Sequence, residues 1–149
     1  DYEVFSVEER LYEAIPAFET KAFKFKGFID LVVKVGDTYH IIDWKTCSWG
    51  WDMKKKSDKM ITYQLTLYKK FWCQKHGIDH SNVETHFALL KRTAKKDFVE
   101  IFRVTSGPKK TENATDLLMK ALHFICKGSK MKNRLSCDKC EFRKTEHCP

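Results

Sequence analysis

Hydrophobic and polar positions change rhythm along this chain, and the changes outline its elements. From Tyr2 to Ile15, aromatic and β-branched residues alternate with Glu, the period of a strand. Phe23-x-Phe25 starts a second strand, which continues through Ile29-Asp30-Leu31-Val32-Val33-Lys34-Val35. Gly36-Asp37 is a turn signal. Tyr39-His40-Ile41-Ile42-Asp43-Trp44 then reads as the return strand. Cys47 to Lys59 is polar and reads as a loop. From about Lys59 to His76 the apolar positions Ile61, Leu65, Tyr68 and Trp72 are spaced 4, 3 and 4 apart. That is a helical stripe, and Gly77 is a plausible stop. Val83 to Lys91 and Phe98 to Val104 read as two more strands, joined by a basic turn from Arg92 to Lys96. Pro108 begins the next transition. Leu117, Leu118, Ala121, Leu122 and Ile125 mark a second amphipathic helix ending near Gly128. The order predicts an α/β domain, a central mixed sheet flanked by helices.

Length narrows this to one domain over residues 1–149, with a short basic Cys-rich tail over 131–149. The net charge of +8 suits a polyanion, of which nucleic acid is the commonest. No apolar run approaches the roughly 20 residues a membrane helix needs. The start, Asp-Tyr-Glu-Val-Phe, lacks the basic opening of a signal peptide. The expectation is an intracellular protein, cytoplasmic or equivalent, with no membrane partner. Six cysteines without a secretion signal make a disulfide framework the weaker reading. The chain opens at Asp1 directly in a strand-like pattern, so it is expected to be a piece of a longer protein.

The chemistry concentrates around the first hairpin. Asp30 follows Phe28-Ile29 and Asp43 follows Ile41-Ile42, inside apolar strands where charges are costly. The Gly36-Asp37 turn brings both acids to one end of the hairpin. Two carboxylates there, with the Trp44 carbonyl as a third oxygen, suit a hard cation such as Mg²⁺. Such an ion can hold a phosphate and lower the pKa of a bound water. Period 2 puts Lys45 on the face of Asp43, where an ammonium can stabilise charge developing on phosphorus. Taken singly, these residues read as a turn acid, a cap and a solvated lysine. Together inside apolar strands they favour a metal site over a structural ion pair. Gln64 and Tyr68 are four apart on the helix and share a face. Read alone, Tyr68 is core and Gln64 is surface.

Gly27-x-x-Asp30, Asp43-x-Lys45 and Gln64-x-x-x-Tyr68, in this order, resemble the PD-(D/E)xK nuclease superfamily in its RecB-like branch. The motifs cover roughly residues 20 to 70, and the element order covers the whole chain. The resemblance implies a restriction-endonuclease-like core. It assigns metal binding to Asp30 and Asp43, catalysis to Lys45, and active-site support to Gln64 and Tyr68. It implies Mg²⁺- or Mn²⁺-dependent DNA cleavage, on single strands or duplex ends. The family usually carries a further His or Glu on a helix before the first Asp. The residues before Asp30 read as strands, so that helix is expected upstream. Glu8 and Glu9 are the local substitutes, although a strand glutamate among Glu3, Glu8, Glu9 and Glu13 reads as an exposed edge.

Cys137-x-x-Cys140 and Cys148 offer three thiolates in the tail. Four ligands close a zinc or iron–sulfur site, with His147, Cys126 or an upstream Cys as the fourth. RecB-like nucleases of the AddB type, and similar CRISPR-adaptation nucleases, hold a 4Fe-4S cluster with one Cys before the nuclease motifs and three after them. The resemblance extends to this tail. An iron–sulfur cluster, zinc and no metal all remain open, because seven residues separate the last two thiols. Cys47, Cys73 and Cys126 read as ordinary core or loop residues.

Trp49 and Trp51 precede Lys54, Lys55, Lys56 and Lys59 beside the Asp43-x-Lys45 strand. Interleaved aromatics and lysines suit single-stranded DNA, through stacking and phosphate contacts. A solvated loop with buried tryptophans is an equally good reading. The leading expectation is a metal-dependent DNA exonuclease in processing, recombination or repair. One alternative is a catalytically inactive DNA-binding or structural module attached to a helicase or repair partner. A zinc-ribbon interaction module rests on the tail alone.

Overall fold

The computed structural model describes residues 1–15, 23–130, 137–138, 140–146 and 148. The chain forms two compact units, Asp1–Leu117 and Leu118–Pro149. The first unit is built on one five-stranded sheet in chain order: β1 Glu3–Ala14, β2 Lys24–Val35, β3 Thr38–Cys47, β4 Val83–Lys91 and β5 Val99–Val104. Three of the pairings are antiparallel, and β3 with β4 is parallel. Parallel neighbours need a long crossover. Here it contains α1 Met53–Ser57, α2 Lys59–His76 and a 3-10 turn at His80–Asn82. The mixed sheet flanked by helices is the architecture that the hydrophobic pattern implies. Gly36 takes φ 57° in the β2–β3 turn, a conformation glycine reaches without a Cβ penalty.

Both ends of α2 are chemically marked. The Asp58 side chain accepts from the Met60 N–H at the start, and Gly77 closes the end with φ 65°. The buried side of α2 carries Leu65, Tyr68, Phe71 and Trp72. These pack on one face of the sheet. Phe71 stacks on Phe25 at 4.3 Å, and Trp72 meets Tyr39 at 5.2 Å and Phe5 at 5.6 Å. Ile29, Val32, Ile41, Phe87 and Leu89 complete this core.

Two element expectations need correction. The stretch from Cys47 to Lys59 is not all loop, because Met53–Ser57 is helical. Its helical residues are mostly lysines, with no buried position, so no apolar stripe announces it. The signal is the cap, Asp52, whose carboxylate accepts from the Lys55 N–H at 2.7 Å. The last helix, α3, runs Pro108–Cys126 and so begins well before Leu117. Proline is favourable in a first helical turn, where its missing N–H costs nothing.

In the second unit, α3 ends with Gly128 at φ 65°, and Ser129 donates its N–H to the Phe124 carbonyl. Cys137, Cys140 and Cys148 lie in this unit. Among the described residues, no helix is long and apolar enough to cross a membrane.

Candidate active site

The ladder between β2 and β3 stops at Leu31–Ile42, while β3 stays paired with β4 as far as Cys47–Lys91. The sheet therefore forks at Asp30 and Asp43. The Trp44 N–H, beyond the last β2–β3 pair, donates to Asp30 Oδ2 at 2.7 Å. A carboxylate so replaces the next ladder bond, which satisfies a backbone donor and fixes the side chain.

Tyr39, Ile41, Asp43 and Lys45 alternate onto the face beneath α2. Tyr39 packs on Trp72 there, and Lys45 Nζ lies 5.8 Å from the centre of the Phe87 ring. Asp43 is only 2% exposed. Lys45 Nζ lies 2.6 Å from Asp43 Oδ2. At that distance the ammonium is a charge-paired donor to Oδ2, and among the described residues no other group satisfies this buried oxygen. Burial pushes the Asp43 carboxyl up. Lys45 opposes that, and the charge of Asp30 adds to it. Two mutually repelling carboxylates, one of them buried, form a donor set that fits a hard divalent cation.

On α2, Gln64 Nε2 donates to the Tyr68 hydroxyl at 3.2 Å, so these two side chains do meet. The Tyr68 ring occupies the space above Gly27. A Cβ at Gly27 would lie 2.6 Å from Tyr68 Cε1, closer than carbon atoms approach. Gly27 thus lets α2 settle onto β2 three residues before Asp30.

The expected nucleic-acid strip divides. Trp49 is 74% exposed, and Lys54, Lys55 and Lys59 are exposed. Trp51 instead packs against Phe87 at 5.3 Å and Phe102 at 6.1 Å, with its Nε1 buried and without a hydrogen-bond partner. Lys55 Nζ covers the Trp51 ring at 4.7 Å. Lys56 is paired with Glu100 and lies over Phe102. In the tail, the Cys140 N–H donates to the Cys137 carbonyl at 3.2 Å and the Cys148 N–H to the Thr145 carbonyl at 3.1 Å. His147, the suggested fourth ligand, lies outside the described residues.

Two features escaped the sequence. Glu9 is not an exposed edge glutamate but is buried against α2. Its carboxylate receives Trp72 Nε1 at 2.9 Å, Lys75 Nζ at 2.7 Å and the Ser6 hydroxyl at 2.6 Å, and lies 2.6 Å from His76 Nε2. Burial pushes the Glu9 carboxyl up, but Lys75, Ser6, His76 and Trp72 together hold it at about 2. Its signal was on the helix, where Trp72, Lys75 and His76 share a face at i, i+3 and i+4. The second feature is a group of three potential metal ligands, His40, Glu84 and His86. Strand alternation places it on the sheet face opposite Asp43 and Lys45.

With this fold and this fork, the chain matches the PD-(D/E)XK nuclease superfamily over residues 2–149 and belongs to it. Nucleases of that superfamily use divalent metals, which agrees with the carboxylate donors at the fork. Among solved structures the chain is similar to the crystal structure of SSO0001, at 15% identity and TM-score 0.58. That match covers 95% of this chain and 58% of the other. It is also similar to an exonuclease candidate from Eubacterium rectale, at 15% identity and TM-score 0.55, covering 91% of this chain and 50% of that one. The chain therefore spans little more than half the length of these structural relatives, and at this identity the likeness is one of fold. No curated protein matches the sequence.

Proposed function

We propose that this chain is the catalytic domain of a Mg²⁺- or Mn²⁺-dependent deoxyribonuclease of the RecB-like branch, acting as an exonuclease in DNA processing, recombination or repair. The observation that carries the reading is the fork. It holds Asp30 and Asp43 at one end of the hairpin, with Asp43 buried and Lys45 beside its Oδ2. Asp30, Asp43 and the Trp44 carbonyl would hold the metal, which supplies a Lewis acid for the phosphate and a more acidic bound water. Lys45, already beside Asp43, meets the charge that develops on the phosphoryl oxygens. Gln64 and Tyr68 support the substrate side through their mutual hydrogen bond. Trp49, Lys54, Lys55 and Lys59 offer exposed stacking and cationic groups to single-stranded DNA or duplex ends. Trp51 and Lys56 support that surface from beneath.

Residues 1–149 act as one nuclease domain of an intracellular protein. Cys137, Cys140 and Cys148 belong to a 4Fe-4S or zinc site of the AddB-like and CRISPR-adaptation-like kind. A helicase or recombination protein is its partner class. The test is cleavage of end-labelled single-stranded and duplex DNA by the protein, with Mg²⁺, Mn²⁺ or chelator. Metal-dependent digestion is expected. Lys45→Ala should slow it by ~10²–10³-fold while leaving DNA binding in place, the scale for losing one transition-state electrostatic partner. Tight DNA binding without cleavage under every metal would replace this reading with an inactive DNA-binding module.

A further inference from the structure

We propose a second metal site on the opposite face of the sheet, formed by His40, Glu84 and His86 and selective for a borderline divalent transition ion such as Zn²⁺. It is independent of the nuclease reading. The β3–β4 register sets His40 beside Glu84 and Ile42 beside His86, so all three side chains leave the same face of two adjacent strands. His40 Nδ1 and His86 Nε2 are 3.1 Å apart. Glu84 Oε2 is 3.7 Å from the first and 3.6 Å from the second. A tetrahedral ion with bonds of about 2.0–2.1 Å separates its ligand atoms by about 3.3–3.4 Å, and each side of this triangle lies within about 0.4 Å of that value. Two imidazoles and one carboxylate leave a fourth position for water, the arrangement of open zinc sites.

The outer contacts support the same assignment. Arg103 holds Glu84 Oε1 at 2.9 Å and leaves Oε2 facing both rings. An oriented carboxylate is what a ligand needs from its neighbours. The three side chains are half-buried, so the site is open to an incoming ion and still partly shielded. Without an ion, a single proton bridges the two facing ring nitrogens, which is the alternative account of the cluster. With an ion, both facing nitrogens are bare, and the bridging proton moves to the far nitrogen of its own ring. No net proton is released when both rings begin neutral. Imidazole ligands select zinc and its neighbours over Mg²⁺, whereas the carboxylates at the fork have the opposite preference.

The test is Zn²⁺ binding to the chelator-treated protein in excess Mg²⁺, by competition with a chromophoric chelator. It is run on a Cys137→Ser, Cys140→Ser, Cys148→Ser background, so that tail thiolates contribute nothing. One equivalent should bind. His40→Gln with His86→Gln should weaken it by more than about 100-fold, beyond the ~10–100-fold that loss of an outer-shell partner costs. Circular dichroism of that variant guards against misfolding. Co²⁺ in the unsubstituted histidine site should show a d–d spectrum with no thiolate charge-transfer band. Unchanged Zn²⁺ affinity in the histidine variant, or no binding on the serine background, would overturn the proposal. Asp43→Asn should keep the zinc and the histidine variant should keep Mg²⁺-dependent cleavage, so the two readings fail separately.

Discussion

Glu9 and Asp43 are both carboxylates buried beneath α2, and they are built in opposite ways. Glu9, on β1, is surrounded by Ser6, Trp72, Lys75 and His76, and its acidity rises until its pKa is about 2. Asp43, on β3, has the Lys45 ammonium beside it and a second carboxylate in its field, and burial raises its pKa. A saturated buried carboxylate contributes to folding, because removing it strands its donors. An unsaturated one opposes folding, because desolvation is not fully offset. Each buried polar group that lacks partners calls for an explanation. The contrast is between a well-donated acid and an under-donated one, without reference to either residue's motif.

The largest effect that would break this contrast is on activity. Asp43→Asn should lower cleavage by at least ~10³-fold, at or above the upper end for a lost electrostatic partner, and should leave the melting temperature unchanged or higher. A steady-state cleavage assay and a thermal melt on the same sample check both halves. A large fall in melting temperature would make Asp43 a structural acid like Glu9.

Glu9→Gln should do the reverse. Lys75 loses its counter-charge in a half-buried site and Trp72 its acceptor, and removing one partner of a buried ion pair costs about 3–5 kcal/mol. Because Lys75 keeps some access to water, the lower end, ~3 kcal/mol, is the expectation in urea unfolding. DNA cleavage per folded molecule should change little.

The same pair predicts opposite pH slopes. Glu9 has an ordinary pKa of 4.5 and a folded value of about 2, so the unfolded chain binds more protons between them. Its stabilisation is complete above about pH 4.5 and is lost as pH falls toward 2. That difference corresponds to ~3 kcal/mol. Asp43 is shifted upward, so its stabilisation is present below its ordinary value and is lost as pH rises through the folded one. Urea unfolding of the unsubstituted chain from pH 2 to 7 should show the acid loss. Glu9→Gln should flatten it, and Asp43→Asn should remove the opposing slope at higher pH.

The smallest effect concerns packing. Gly27→Ala places a methyl group against Tyr68 and should cost ~1–3 kcal/mol, as overpacking does. A matched loss in Gly27→Ala and in the double variant with Tyr68→Leu would show that the ring is not the obstacle. Recovery in the double variant would confirm that it is.

Much of this architecture was readable as pattern. Strand alternation, the Lys59–His76 stripe and the Gly36-Asp37 and Gly77 punctuation are local, and each reappears within a few residues of its expected place. The three-motif spacing likewise pointed to the superfamily that the full-length match establishes. The helix at Met53–Ser57 was not legible, because a run of lysines buries nothing and leaves no periodicity. The early start of α3 was hidden for a related reason, since its first turns carry few apolar residues.

Side-chain environment is where local reading stopped. Nothing in the sequence near Glu9 distinguishes it from Glu8, yet neighbouring strand residues face opposite sides, and only Glu9 meets α2. Trp49 and Trp51 are two apart in the same segment, but Phe87 and Phe102, distant in sequence, claim Trp51. His40 and His86 are 46 residues apart and become neighbours only through the parallel β3–β4 register. By itself the sequence determined most of the elements, their order, and the hairpin that joins Asp30 to Asp43 through one short turn, because those depend on neighbours along the chain. Tertiary structure alone decided which acid is surrounded by donors and which is buried beside one ammonium. That depends on donors brought in by α2 and on where the β2–β3 ladder opens, and neither is encoded within a few residues of the acid itself.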